Sequence, residues 1–284
     1  MNFKFQASVP VLLIFALLLS GFTMTGFKSP DSVLVDPETS RLYVSNVNGS
    51  PALSDGNGFI SLLDPSGKPV NMHFIRSGRG GVNLNAPKGM ALIGQDLYVT
   101  DLQQVHRFDK NKATLKGTID LKLLGAKNLT GLAVGPDGVL FVSDPATSTI
   151  FKIDTVHQHR AAVHVRDQAL GQPTSLLYDA AHHRLLAGCW GSGQLLFIGE
   201  DGKIFSLMQK RFKRIKSLHF DREGHLLFAA LVTGKIYRLR NYEKLEVVRE
   251  NLVTPANFAL DKDGRRLVVP SYRGNIVFSF GLPY

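Results

Sequence analysis

One β-strand pattern recurs six times along this chain, and this repetition constrains the fold more than any other feature. The best-formed copy covers residues 131–154, GLAVGPDGVLFVSDPATSTIFKID. It predicts three short strands, the first two joined by a turn at residues 135–138, where Pro136 fixes φ and Gly138 permits positive φ. Residues 150–154 alternate apolar and polar side chains, which is typical of a strand with one buried face. Because one such unit cannot bury its own faces, it requires copies packed beside it.

The copies are evenly spaced. Their first strands are anchored at positions 33, 90, 132, 176, 218 and 258, so that the successive steps are 57, 42, 44, 42 and 40 residues. A period near forty residues with three or four strands per copy is typical of a β-propeller, a ring of small sheets with short, protected edges. The sequence therefore predicts an all-β, six-bladed propeller that forms one domain over residues 22–284.

The sixth copy has only three strands before the chain ends. A three-stranded outer blade would expose an edge that invites pairing with another chain. Residues 22–27, FTMTGF, are rich in aromatic residues and have no other assigned partner. We predict that this segment forms the outer strand of the last blade and closes the ring.

The first 21 residues have the pattern of a targeting segment. Lys4 supplies a positive charge, residues 11–19 are continuously apolar, and Ser20 and Gly21 provide small side chains near a cleavage point. We predict a signal peptide over residues 1–21, with an uncleaved membrane anchor as the alternative, and hence a periplasmic or secreted protein. The single cysteine, Cys189, excludes an internal disulfide and is predicted to serve packing.

Three segments carry a resemblance to known propellers. Residues 30–33 (PDSV), 83–90 (NLNAPKGM) and 255–258 (PANF) resemble the beginnings of innermost strands in exported bacterial proteins of one superfamily. That superfamily is the gluconolactonase/regucalcin-like and NHL-repeat group of six-bladed propellers. The resemblance covers about residues 28–280 and implies the same fold.

The resemblance also implies a divalent metal at the channel mouth of such propellers, bound by a Glu of the first blade, an Asn of the fourth and an Asp of the fifth. The matching positions here hold Asp31, Thr174 and Lys216. A lysine ammonium in that place would repel a divalent cation. We therefore predict neither a metal nor a cofactor, with Asp31 as the one weak candidate for a metal ligand should a divalent cation bind.

The channel mouth is nevertheless the natural place for a ligand, because the first residues of the innermost strands surround it. In the six copies these candidate binding residues are Asp31, Lys88, Thr130, Thr174, Lys216 and Asn257. Lys88 and Lys216 belong to opposite blades, so two ammonium groups with threonine hydroxyls between them would suit a small anion. The alternative is that both lysines turn outward into water or pair with Asp31 and loop carboxylates.

Charge and loop composition bear on partners. The net charge is +10, and it is concentrated in residues 210–216, KRFKRIK, which we interpret as a solvated loop between the fourth and fifth blades. Export and the lack of a nucleic-acid-binding motif argue against nucleic acid, whereas an anionic surface or polymer remains open. The Gly/Asn/Ser-rich loops 46–58 and 77–85 are where specificity or a protein contact is expected.

Two functions of different class follow from these features. The first is an exported, monomeric propeller that binds a small anionic ligand or a protein partner and does no chemistry. The alternative is a metal-dependent hydrolase of the lactonase type with an altered site at the channel mouth. Lys216 favours the first, because it replaces a metal-binding carboxylate with a positive charge. The fold alone cannot decide between them, since propellers host both binding and catalysis.

Overall fold

A computed structural model describes residues 21–283, which form six four-stranded antiparallel sheets arranged as the blades of one propeller. In chain order the strands are β1 (Thr23–Met24), β2 (Pro30–Val35), β3 (Leu42–Asn46), β4 (Phe59–Leu63), β5 (Pro69–Arg76), β6 (Pro87–Ile93), β7 (Asp96–Asp101), β8 (Gln104–Asp109), β9 (Leu115–Asp120), β10 (Leu132–Val134), β11 (Val139–Asp144), β12 (Thr149–Asp154), β13 (Arg160–Arg166), β14 (Pro173–Asp179), β15 (Arg184–Cys189), β16 (Leu195–Ile198), β17 (Ile204–Ser206), β18 (Ile215–Phe220), β19 (Leu226–Ala230), β20 (Lys235–Arg240), β21 (Lys244–Arg249), β22 (Ala259–Leu260), β23 (Arg266–Ser271) and β24 (Ile276–Gly281). Short 3-10 turns lie at Lys122–Leu124, Pro136–Gly138, Gln168–Leu170 and Ala180–His182. The predicted six-bladed, all-β fold is confirmed.

The blades follow the chain, with β2–β5 as blade 1 and β22–β24 as the chain's contribution to blade 6. The fourth strand of blade 6 is β1, which pairs antiparallel with β24 through Thr23 opposite Phe278 and Met24 opposite Val277. The Phe22 backbone N–H donates to Ser279 Oγ at 3.0 Å, which extends the contact by one residue. The predicted closure of the ring by the N-terminal segment is confirmed, but the paired strand is limited to Thr23–Met24 rather than extending over residues 22–27.

The best-formed repeat shows why the pattern gives this structure. Gly138, in the turn between β10 and β11, has φ of +75°, the conformation that glycine adopts without steric cost. Ile150, Phe151 and Ile153 of β12 are fully buried. The outer strand β13, Arg160–Arg166, was not identified from the sequence. None of its residues is fully buried, and only Ala161 and Val165 pack against core clusters, as partly buried side chains.

The core lies between neighbouring blades rather than within them. One cluster joins Tyr43 of blade 1 to Phe108 of blade 2, and another joins Leu186 of blade 4 to Phe228 of blade 5. Cys189 is fully buried in a third cluster, where burial raises the pKa of its thiol to about 12, in keeping with a packing role. Within residues 21–283, no helix is long and apolar enough to span a bilayer. Residues 1–20 of the predicted signal peptide lie outside the described residues.

Candidate functional site at the channel mouth

β-bulges place the predicted site residues at the channel mouth. The pairing of the innermost strand with its neighbour shifts register at Asp31, Thr174 and Lys216, and in blade 2 the shift includes Lys88. A bulged residue has no partner in the ladder, and the bulge re-aims its side chain. Together with Thr130 of blade 3, these side chains line one cavity of about 540 Å³, the mouth cavity. Five of the six predicted residues are thus brought together.

Asn257, the sixth, has a different role. Pro255 pairs with Ser271 as Pro30 pairs with Asn46, so the residue of blade 6 that corresponds to Asp31 is Ala256. Asn257 is not among the residues that line the mouth cavity. Its Oδ1 accepts a hydrogen bond from Ser217 Oγ at 3.0 Å, and its Nδ2 donates to Ser32 Oγ at 2.9 Å. The Asn257 side chain therefore links blades 5, 6 and 1.

Lys216 is not a free ammonium. Its Nζ lies 2.9 Å from Asp31 Oδ2, and the two side chains are only 8% and 5% exposed. The pair spans blade 6, where the small, fully buried Ala256 occupies the intervening position. The expectation of two free lysines around a ligand is therefore wrong for Lys216, and the alternative pairing with Asp31 is confirmed.

The ion pair also changes what Asp31 can do. A carboxylate held against an ammonium is a poor ligand for a divalent cation, because the ammonium already neutralises its charge. Among residues 21–283, no group of three or more His, Cys, Asp and Glu side chains is arranged to hold a metal. The residues present do not fit the metal site that the family resemblance implies.

Lys88 is the unpaired amine of the mouth cavity. Its side chain is 3% exposed, and its Nζ donates to the Ala86 carbonyl at 3.1 Å. Of the carboxylates in the described part of the chain, none lies within ion-pairing distance of it. The pKa of Lys88 is lowered to about 8. Burial is the largest cause and Lys216 adds to it, while Asp31, Asp101 and Asp144 oppose the shift.

The hydroxyls of Thr130 and Thr174 donate their protons to backbone carbonyl groups. Thr174 Oγ1 donates to the Ile215 carbonyl of blade 5 at 2.6 Å, and Thr130 Oγ1 donates to the Asn128 carbonyl at 3.3 Å. Each hydroxyl has one proton, so these groups offer a ligand lone pairs rather than donors. The donors predicted between the two lysines are therefore not available.

A second row of side chains supplies donors that the sequence analysis missed. Gln172, Arg214 and Thr254 each precede an innermost strand and have φ of 64°, 61° and 41°. All three line the mouth cavity, as do Tyr272 and Arg273. Burial and the neighbouring Asp31 raise the pKa of Tyr272 to about 12, so its hydroxyl stays protonated at neutral pH. The sequence signal was weak: Pro follows Gln172 and Thr254 but not Arg214.

A basic groove of about 920 Å³ adjoins the mouth cavity and shares Trp190, Arg214 and Arg273 with it. Arg211 and Lys213 also line this groove, and no carboxylate is among its lining residues in the described part of the chain. The Arg214 guanidinium lies 4.7 Å from the centre of the Trp190 ring, a cation–π contact that fixes its position. The basic segment predicted as a solvated loop therefore forms one wall of a charged groove.

Polar residues at the ends of the second strands hold the site loops. Asp101 accepts hydrogen bonds from the Asn85 and Ala86 backbone N–H groups at 2.8 and 2.7 Å, just before Lys88. Burial alone would raise the pKa of Asp101, but the neighbouring His106, whose Nε2 lies 3.5 Å from Asp101 Oδ2, and the hydrogen bonds from these amides lower it overall. The Asp144 carboxylate likewise accepts from the Lys127 and Asn128 amides. Both carboxylates fasten the loop before the innermost strand, and Asp144 also accepts a hydrogen bond from the Ala146 N–H in the turn after its own strand.

The long first-blade loop also reaches the site. Gly49 and Pro51, within residues 46–58, line the mouth cavity. Loop 77–85 does not line it but supports the first loop, since the Gly56 N–H donates to Asn85 Oδ1 at 3.2 Å. Loop 46–58 therefore forms part of the rim of the mouth cavity, and loop 77–85 supports it from outside.

Comparison with known proteins shows the fold alone. No protein-family model matches the sequence, and no curated protein does. The structure is similar to virginiamycin B lyase from Staphylococcus aureus, solved in a catalytically inactive form with quinupristin, at a TM-score of 0.64 and 14% identity over 91% of this chain and 84% of that chain. It is also similar to a structural genomics protein of unknown function from Bacteroides thetaiotaomicron VPI-5482, at a TM-score of 0.72 and 10% identity over 93% and 76% of the two chains.

An auxiliary nutrient binding protein from the same organism gives a TM-score of 0.70 at 10% identity, over 90% of this chain and 69% of that chain. Propellers of one architecture serve unrelated functions, and these identities are too low to transfer a site. The gluconolactonase/regucalcin-like and NHL resemblance stays a prediction from the sequence. The chain is a single-domain, six-bladed β-propeller.

Proposed function

We propose that this protein is an exported ligand-binding propeller whose mouth cavity holds a small anion, a carboxylate or a phosphate. The observation that carries the proposal is the charge of the cavity lining. Four cationic side chains, Lys88, Arg214, Lys216 and Arg273, line it together with one carboxylate, Asp31. Because Lys216 already neutralises that carboxylate, the remaining cations have no internal counter-charge in the lining.

The geometry favours a bound anion over a bound cation. Arg214 and Arg273 carry planar guanidinium groups that can donate two parallel hydrogen bonds to one carboxylate or phosphate. Cavity walls of low dielectric strengthen such contacts relative to water. The adjoining basic groove adds Arg211 and Lys213 on the approach to the cavity, which would raise the rate at which anions arrive.

Export and a monomeric state are part of the proposal. The pattern of residues 1–21 supports export, and β1 covers part of the edge of β24 in blade 6. The nutrient-binding role of one structural neighbour is compatible with a ligand-binding role here. A protein partner would meet the rim formed by residues 46–58 before it reached the cavity.

A thermal-shift screen tests the proposal. Inorganic phosphate, simple carboxylates and sugar acids are compared at one fixed ionic strength, so that specific binding is separated from screening. An anion at a hundred times its dissociation constant should stabilise the protein by about 2.7 kcal/mol. Arg273→Gln should weaken binding about tenfold, because it removes one charge-assisted contact. The control is Lys152→Gln, an exposed site on blade 3 outside the cavity.

The control variant should bind as the parent protein does. If no anion in the screen raises the melting temperature, or if Arg273→Gln and Lys152→Gln have equal effects, the mouth cavity is not an anion site.

A further inference from the structure

We propose that Lys88 is a covalent capture residue, whose amine forms a reversible imine with the carbonyl carbon of an anionic carbonyl compound such as a 2-oxo acid. The inference rests on the proposed function, because the carboxylate of such a compound would be held by the cationic lining of the mouth cavity. It adds a reaction that binding of an anion does not require.

The first argument is the isolation of the amine. Lys88 Nζ has three donor positions, and the Ala86 carbonyl at 3.1 Å is its hydrogen-bond acceptor. Lys216, in the same cavity, is engaged by Asp31, with its Nζ 2.9 Å from Asp31 Oδ2. The mouth cavity thus contains one lysine held in an ion pair and one, Lys88, without a carboxylate partner among the described residues.

The second argument is the protonation state, since only a neutral amine attacks a carbonyl. The carboxylates and amine that act on Lys88 are Asp31, Asp101, Asp144 and Lys216, and none of the carboxylates is paired with it. The net result is a pKa of about 8, well below the ordinary value of 10.5. Desolvation in an apolar setting is how proteins activate amines for imine formation.

The third argument is an unsatisfied hydrogen-bond acceptor in the mouth cavity. Asn128 lines the same cavity, and its Oδ1 is a buried acceptor without a hydrogen-bond partner among the described residues. A buried acceptor of this kind costs free energy unless a ligand or water donates to it. The hydroxyl that forms when an amine adds to a carbonyl is a donor that could meet this need.

The step balances without an added oxidant or reductant. The neutral Lys88 nitrogen bonds to the carbonyl carbon, the carbonyl oxygen takes up the nitrogen's protons, and that oxygen leaves as water when the carbon–nitrogen double bond forms. Hydrolysis reverses the step and releases the ligand. Arg214 and Arg273, which line the cavity, are placed to bind the carboxylate during this exchange.

Reductive trapping tests the inference. The purified protein is incubated at pH 8 with glyoxylate and cyanoborohydride, and each lysine is scored by peptide mass mapping for an added carboxymethyl group. Lys88 should be labelled at least about tenfold faster than Lys152, because its neutral fraction is larger. Lys216 should be labelled slowly. Lowering the pH below 8 should slow the labelling of Lys88.

Two variants and one analogue complete the experiment. Lys88→Arg keeps a cation and Lys88→Met keeps an apolar stem; both should abolish the fast labelling, and either suffices if the other does not fold. Glycolate has the carboxylate but no carbonyl, so its effect on melting temperature reports anion binding alone. Stabilisation by glycolate without labelling of Lys88 overturns the imine and leaves the proposed function intact. Fast labelling of Lys88 without any effect of glycolate supports the imine and contradicts the proposed function.

Discussion

Replacing Lys216 with methionine tests the buried ion pair of the mouth cavity. The Nζ–Oδ2 distance of 2.9 Å corresponds to a gross attraction of about 6 kcal/mol at an effective dielectric constant of about 20. Removing one partner leaves Asp31, whose side chain is 5% exposed, as a buried carboxylate without its ion-pair partner. Loss of one member of a buried pair typically costs 3–5 kcal/mol, and we expect about 3 because Lys88 still stabilises Asp31.

The assay is urea unfolding at pH 7, with the midpoint converted to free energy at constant slope. A loss of about 3 kcal/mol should lower the melting temperature by about 6–12 °C for a domain of this size. The Asp31→Asn/Lys216→Met double variant should recover at least half of the loss, since neither charge then remains buried.

The matched control is Lys235→Met, which breaks the Lys235–Glu250 pair at 2.9 Å between side chains 35% and 53% exposed. That variant should cost less than about 1 kcal/mol. A cost below 1 kcal/mol for Lys216→Met, or a double variant as unstable as the sum of its singles, would refute the reasoning.

Three further predictions concern closure, pH and metal. Deleting residues 22–27 should lower the melting temperature and produce oligomers on size-exclusion chromatography, because the edge of β24 becomes exposed; an unchanged monomeric profile would contradict this. The pKa of Lys88 is about 8 in the folded protein and 10.5 in the unfolded chain. Between these two pH values the unfolded chain therefore binds more protons than the folded protein. The free energy of unfolding should rise with pH across that window, by up to about 3 kcal/mol. Lys88→Met should remove this part of the pH dependence, and it should be more stable than the parent protein at pH 7. Urea unfolding at pH 7 and pH 10 measures both effects. An equal change in the free energy of unfolding between the two pH values, in variant and parent, would count against the prediction. Lys216→Asp should introduce affinity for a divalent cation by placing a second carboxylate near Asp31, and calorimetry with Mn²⁺ should detect it, whereas the parent protein should show no tight binding.

The fold could be predicted because each repeat contains the turn residues and the apolar pattern that define its own strands. The turn at residues 135–138 and the apolar residues of β12 fix one meander locally, and the period then fixes how many meanders share the ring. The position of β1 followed from counting strands in the last copy. The outer strands, such as β13, escaped detection because solvent-facing residues carry little pattern.

The site could be predicted only in part. Counting from the repeats located the bulged residues Asp31, Lys88 and Lys216, because the bulge recurs at the same place in several blades. In the first five copies the site residue lies two positions before the anchor of the innermost strand. The same spacing from the sixth anchor, Phe258, gives Ala256, so the choice of Asn257 departed from the repeat spacing by one residue.

Contacts between residues of different blades could not be predicted from the sequence either. The pairing of Lys216 with Asp31 depends on a small residue in the blade between them, which no local pattern reveals. Similarly, Arg211 and Lys213 belong to a loop, and only the folded chain brings that loop beside Arg273. Both features decide the charge of the site, so its residues could be predicted from the repeats but its electrostatics could not.

Anomalous diffraction from crystals grown with both selenate and Mn²⁺ tests the central claim most directly, because each ion identifies itself by its absorption edge. The mouth cavity, with its four cations and one paired carboxylate, should hold selenate beside Lys88 or the Arg214 and Arg273 guanidinium groups, with no Mn²⁺ on Asp31. A manganese peak coordinated by Asp31, with selenate absent from the cavity, would contradict the anion-binding account and restore the metal-dependent hydrolase.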